Sequence, residues 1–183
     1  MTKPIKNLML LGLVITIGYV SFKITHNNSI NNVSVVNENE CTFEELELER
    51  YLWDIAQKES SNKYYIVSKY GYLGKYQFSM STLRGIGYKV SKSEFLQNPI
   101  IQDEAMIDLL KYNKRVLRKY IDRWDGKKHN GKVITESGIL AAAHLGGAES
   151  VKRYFKYGVN ISDTLGTSVG YYMTKFSGYK IQI

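Results

Sequence analysis

Cysteine is nearly absent. The 183-residue chain has one, Cys41, so no intramolecular disulfide can form and no cysteine cluster can bind a metal. Histidine is almost as scarce. Its three copies lack ligand spacing, so no metal site and no cofactor is expected. There is no arginine-rich nucleic-acid helix and no zinc-finger or RNA-recognition signature, which argues against nucleic acid as a partner. Internal repeats are missing too. Acids are absent from one stretch: no Asp or Glu lies between Glu59 and Glu94, while Lys63, Lys69 and Lys75 fall inside it.

What is present divides the chain into three parts. Residues 1–24 hold an uncharged run, Leu8 to Phe22, behind Lys3 and Lys6. The run is short for a membrane span but within range of one. It also fits the core of a signal peptide. No small-x-small cleavage site follows it, which favours an uncleaved anchor, and the N-terminal positive flank places the bulk of the chain on the exported side. Cleavage would make the protein secreted. Residues 25–43, rich in Asn and Ser, read as a linker, because they bury too little apolar surface to offset their ordering entropy. Residues 44–183 suffice for one compact domain. The net charge is +8 and the pI about 9.4. A basic exported domain suits an anionic partner such as a wall polymer or a membrane surface.

The domain reads as mainly α. The acidic run Glu44, Glu45, Glu47 and Glu49 opens a first helix or forms a solvated face. Residues 101–121 carry an apolar stripe that predicts a helix of about 20 residues. A buried helix starts at Thr135 and stops at Gly146 and Gly147, a third closes at Gly158, and a last one has Thr167 or Ser168 as N-cap. The tyrosines and glycines of residues 63–78 suggest a small hairpin or an extended loop.

One residue breaks the pattern. Leu52, Ile55, Ala56 and Glu59 follow i, i+3, i+4, i+7, the spacing of one helix face. A carboxylate on that stripe faces the core unless the helix ends there, and Ser60, Ser61 and Asn62 favour turns. Glu59 is therefore expected on the last turn, half-buried. Half-burial favours the proton-bearing form of a carboxyl group, which a general acid needs. The plainer reading is a solvated glutamate at a helix end.

The order of motifs decides between them. Glu59–Ser60 is followed by "GKYQF" at 74–78, then "STLRGIGY", "AAAHLGGAESVKRYF" and "GTSVGYYMTKF". This series resembles the lytic transglycosylase domains, with their goose-type lysozyme-like fold, over most of residues 48–178. The resemblance implies that Glu59 is the single catalytic acid and Ser60 the serine that follows it. It implies that Gly74, Tyr76 and Gln77 line a glycan cleft and that Tyr172 lies near the acid. His144, Leu145, Gly146 and Gly147 fall where the family has Tyr-Asn-Ala-Gly. The histidine and leucine are departures, and Leu145 removes a polar substrate contact.

Read from the residues alone, Tyr70, Tyr72 and Tyr76 offer faces for sugar stacking or for core packing. His144, on an alanine-rich helix, reads first as a packing residue. Asp103 reads as capping or dipole chemistry at the start of the long helix. Two-carboxylate glycosidases need a second acid. None lies in residues 60–93, so a one-carboxylate route is expected, in which the sugar's own C6 hydroxyl closes on C1 and leaves a 1,6-anhydromuramoyl end. Asp103, Glu104 or Glu136 can approach in space, which keeps a hydrolytic muramidase as an alternative. A wall-binding or assembly protein without turnover is the other. The expected partners are peptidoglycan strands and, through residues 1–24, a membrane, with the chain a monomer.

Overall fold

The computed structural model describes residues 42–163 and 165–183. The expected anchor or signal segment, nearly all of the linker and Cys41 lie outside them. Among the described residues no helix is long and apolar enough to cross a membrane.

The described part is mainly helical, with one two-stranded hairpin. Helix α1 spans Phe43–Ser60. Thr42 starts it with a capping box: its hydroxyl accepts from the Glu45 amide at 3.2 Å, and the Glu45 carboxylate accepts from the Thr42 amide at 2.9 Å. The helix thus begins at the edge of the expected linker. It ends where the serines predict. Ser61 (φ 56°) and Asn62 (φ 59°) turn left-handed, and their amides donate to Gln57 and Ala56 carbonyls.

Two short helices follow, α2 (Met80–Gly85) and α3 (Lys92–Gln97). Neither was expected, although Ser91 and Glu94 form a second capping box. Helix α4, Pro99–Trp124, is longer than its apolar stripe suggested: 26 residues. Asn98 caps it and Pro99 occupies the first turn, where a missing N–H costs nothing. Helix α5, Glu136–Tyr157, contains the expected break: Gly147 (φ 78°, ψ 158°) is non-helical and splits it into two rods. Helix α6, Val169–Lys175, starts at Ser168.

The ladder is not where the tyrosine-rich segment suggested. Strands β1 (Lys128–His129) and β2 (Lys132–Val133) pair antiparallel across Asn130–Gly131, both at positive φ. Asn-Gly between two strands is the strongest short hairpin signal. Residues 63–78 instead fold as two tight turns around Leu73, which bridges both Val67 and Phe78. Single bridges replace a ladder there because Leu73, Tyr76 and Phe78 all turn into the core.

One apolar core joins α1, α4, α5 and α6. Helix α6 lies very close on α5. A Cβ on Gly138 would overlap the Met173 carbonyl oxygen, and one on Gly146 would come within 2.9 Å of Val169 Cγ2. Tyr51, fully buried, ties α1 to the start of α5 through a 2.8 Å bond from its hydroxyl to the Ser137 carbonyl. Gly138→Ala is expected to lose about 3 kcal/mol or more, because backbone on both sides must move. Thermal unfolding of the variant beside Gly85→Ala, where a Cβ meets nothing within 4 Å, checks this.

Candidate active site

Glu59 lies on the last turn of α1, with its side chain 16% exposed. Its Oε1 accepts a 2.6 Å hydrogen bond from the Tyr172 hydroxyl, which α6 delivers from 113 residues away. Burial first, then the Glu59 charge, pushes the Tyr172 phenol well above its ordinary range, so it remains a donor. No protein donor reaches Oε2 among the described residues.

His144 completes the cluster from α5. Its Nε2 is 3.9 Å from Glu59 Oε1, too long for a direct hydrogen bond. The imidazole is 6% exposed and packs edge-on against Phe78. Its Nδ1 is buried with no partner. Burial pushes the imidazole below its ordinary value, against the Glu59 charge and the Tyr76 backbone. His144 is thus a neutral polar group aimed at the acid.

The other expected residues divide. Tyr76 is 1% exposed, so its ring cannot stack on a sugar. Its hydroxyl donates instead to Asp103 Oδ1 at 2.9 Å. Ser60 is buried and acts as a tie: its hydroxyl donates to the Lys75 carbonyl at 2.7 Å and accepts from the Lys63 amide at 3.0 Å. Gly74 (φ 71°) leaves room for Gln102, which a Cβ would overlap. Gln77 donates to the Gly74 carbonyl and is half-buried. Gly146 meets α6 at Val169. Tyr70 and Tyr72 are exposed. Of the expected set, the geometry brings only Tyr172 and His144 to Glu59. Ser60, Gly74 and Tyr76 shape the wall beside it.

Compared with family models, characterised proteins and solved structures, the chain matches none. Its site is therefore argued from its own geometry.

Asp103 is not a helix cap. It accepts from Tyr64, Lys75 and Tyr76 at 2.8, 3.0 and 2.9 Å. Burial alone would lower the Lys75 ammonium, but bonds to Tyr64 and Asp103 raise it overall, so it stays charged. Beside it, the buried Gln102 amide accepts from the Lys75 amide and donates to the Phe95 and Tyr64 carbonyls. These two residues of α4 pin residues 64–76, and Ser60 carries that fixation to the end of α1. Gln102 has the same sequence signal as Glu59: a polar group on a buried stripe, three residues before Ala105. Asp103, one position on, gives no such sign.

Two hollows lie elsewhere. One of about 580 Å³ borders Ile107 and Ile181–Ile183, and one of about 350 Å³ borders Asp54 and Tyr179. Neither is lined by Glu59, His144 or Tyr172.

Two measurements check this account. Asp103→Asn should cost about 1–2 kcal/mol in denaturant unfolding, less than for a sealed pair because the carboxylate is 42% exposed and screened. His144 is held neutral, so below its ordinary value of about 6.5 the unfolded chain takes a proton that the folded chain refuses. Stability therefore falls as pH drops through that value toward the lower folded one. In His144→Phe, the part of the loss between about pH 8 and about pH 5.5 due to this residue should disappear, read as the difference in Tm from wild type.

Proposed function

We propose that this protein is a peptidoglycan lytic transglycosylase with a lysozyme-like domain, in which Glu59 is both acid and base. The observation that carries the reading is the Tyr172–Glu59 bond: it holds one carboxyl oxygen and leaves Oε2 to bear the proton. The residues named by the resemblance, Glu59 and Tyr172, are the two that meet.

The chemistry follows from that division. Glu59 Oε2 protonates the glycosidic oxygen between MurNAc and GlcNAc as the C1–O bond breaks. The carboxylate formed is stabilised by the Tyr172 hydroxyl, with the neutral His144 ring 3.9 Å away as a second polar neighbour that one water can bridge. The C6 hydroxyl of the same MurNAc attacks C1 and returns its proton to Glu59. No water is consumed, and the product ends in a 1,6-anhydro ring.

The three acids expected to approach do not present a free carboxylate beside Glu59. Asp103 is held by Lys75, Tyr64 and Tyr76, Glu136 pairs with Lys114 at 2.8 Å, and Glu104 is exposed on the surface of α4. A further acid, Asp163, is near enough for its charge to raise the Tyr172 phenol; its Oδ1 accepts from the Leu165 and Thr167 amides, and it keeps hydrolysis as the alternative. One observation favours a binding protein instead: Leu145, where the resemblance expects a substrate-contacting asparagine, packs against the core and offers no polar group.

Digestion of purified peptidoglycan by the full-length chain, read by mass spectrometry, separates these readings. Anhydro-ended fragments from wild type, absent with Glu59→Gln, are expected. Reducing ends would assign water as the nucleophile. No release, or equal release from both proteins, would remove Glu59 from catalysis and favour the binding reading. In Tyr172→Phe, kcat should fall about ten- to a hundred-fold with little change in KM, the worth of one hydrogen bond to a charged group.

A further inference from the structure

Helix α4 carries a feature that the chemistry at Glu59 leaves unused. Lys111, Arg115, Lys119 and Arg123 recur every four residues, and all are exposed. They form one row on the side away from the buried Leu110, Asn113, Leu117 and Ile121. At a rise of about 1.5 Å per residue the row is about 18 Å long, with a cation every 6 Å or so, about one helical turn.

Among the described residues none of the four pairs with a carboxylate. Asp122, the acid within the row's length, is taken by Arg118. Like charges four residues apart repel and weaken a helix. The Trp124 ring under Arg123 and the C-terminal end of the helix dipole offset that cost for Arg123, and no ion pair offsets it for Lys111, Arg115 or Lys119 among the described residues. Tyr112, 41% exposed, stands beside Arg115 with its ring accessible. Past the end of α4 the exposed Lys127, Lys128 and Lys132 continue the positive charge.

We propose that this row docks a linear polyanion of the cell wall, a polymer with one phosphate per polyol or sugar repeat. A line of four unpaired cations winding along one helix, with Arg118 beside it taken up by Asp122, follows a chain, whereas a bilayer would meet a broad flat patch. The regular spacing along the helix suits a regular repeat, and the Tyr112 ring gives a polyol or sugar an apolar face. Docking would hold the domain against the wall and raise the local concentration of glycan around it. The choice of a wall polymer rests on the peptidoglycan reading above; the row itself does not.

The test uses the full-length chain in neutral detergent with a labelled glycerol-phosphate oligomer, read by fluorescence anisotropy at rising salt. Binding should weaken steeply with salt, as counterion release requires. K111Q/R115Q/K119Q/R123Q should lose about ten-fold or more in affinity at low salt. R84Q/K89Q/K92Q/K180Q removes the same charge elsewhere and should lose much less. The variant helix should melt no lower than wild type, because repulsion has been removed. Equal losses in the two variants would overturn the proposal, since net charge would then govern binding. Salt-independent binding, or tighter binding of single-stranded DNA or of anionic phospholipid vesicles, would overturn it as well. Glu59→Gln should bind the oligomer as wild type does. A protein that binds but never cleaves peptidoglycan would keep the row and discard the catalytic reading, and the opposite result would do the reverse.

Discussion

The close approach of α6 to α5 governs this site. At Gly138 there is no room for one methyl group, because the Met173 carbonyl occupies the space. Met173 is the neighbour of Tyr172, so the contact that seats α6 also sets how far the Tyr172 hydroxyl reaches. Its 2.6 Å bond to Glu59 joins residues 113 apart in the chain, and no local preference could align them. The alignment comes from two helices packed at backbone distance, where a small shift meets steep repulsion. A stiff support of this kind suits a proton donor, whose rate depends on geometry held to a fraction of an ångström.

The opposite wall is stiffened by polar groups instead. Residues 63–78 form no ladder, and single bridges around Leu73 would be weak alone. Asp103 and Gln102 supply what the bridges lack. One ties three side chains and the other three backbone groups, and both start from the first turns of a well-capped helix. Ser60 then links this segment to the residue after Glu59. His144 sits between the two walls, against Phe78 on one side and Glu59 on the other. Its burial keeps it uncharged, so it can lend a dipole to the acid without competing for the proton.

Much of this was legible in the sequence wherever local chemistry decides. The serines after Glu59 stop α1, the glycine pair breaks α5 and Ser168 caps α6, each through its own backbone preference. Residues 63–78, readable as a hairpin or an extended loop because tyrosines and Val67 look like strand residues, take the loop form, whereas Asn130–Gly131 carries the turn signal of the one ladder among the described residues. Tyr76 shows a different limit. The resemblance puts it in a cleft, yet a half-exposed aspartate from α4 claims its hydroxyl. Such long-range polar partners have no periodicity to betray them. Glu59 and Tyr172 could be paired only by their likeness to a known order of motifs, since nothing in either segment points to the other.

Gly74 and Gln102 illustrate what such packing means for the history of the chain. The buried amide lies where a side chain at position 74 would be, and it also accepts from the amide of Lys75. Enlarging position 74 evicts the glutamine; shortening position 102 strands the Lys75 amide and the Tyr64 carbonyl. Neither site can drift alone. The pair therefore behaves as one heritable character, although the bonded Lys75 and Gln102 lie 27 residues apart.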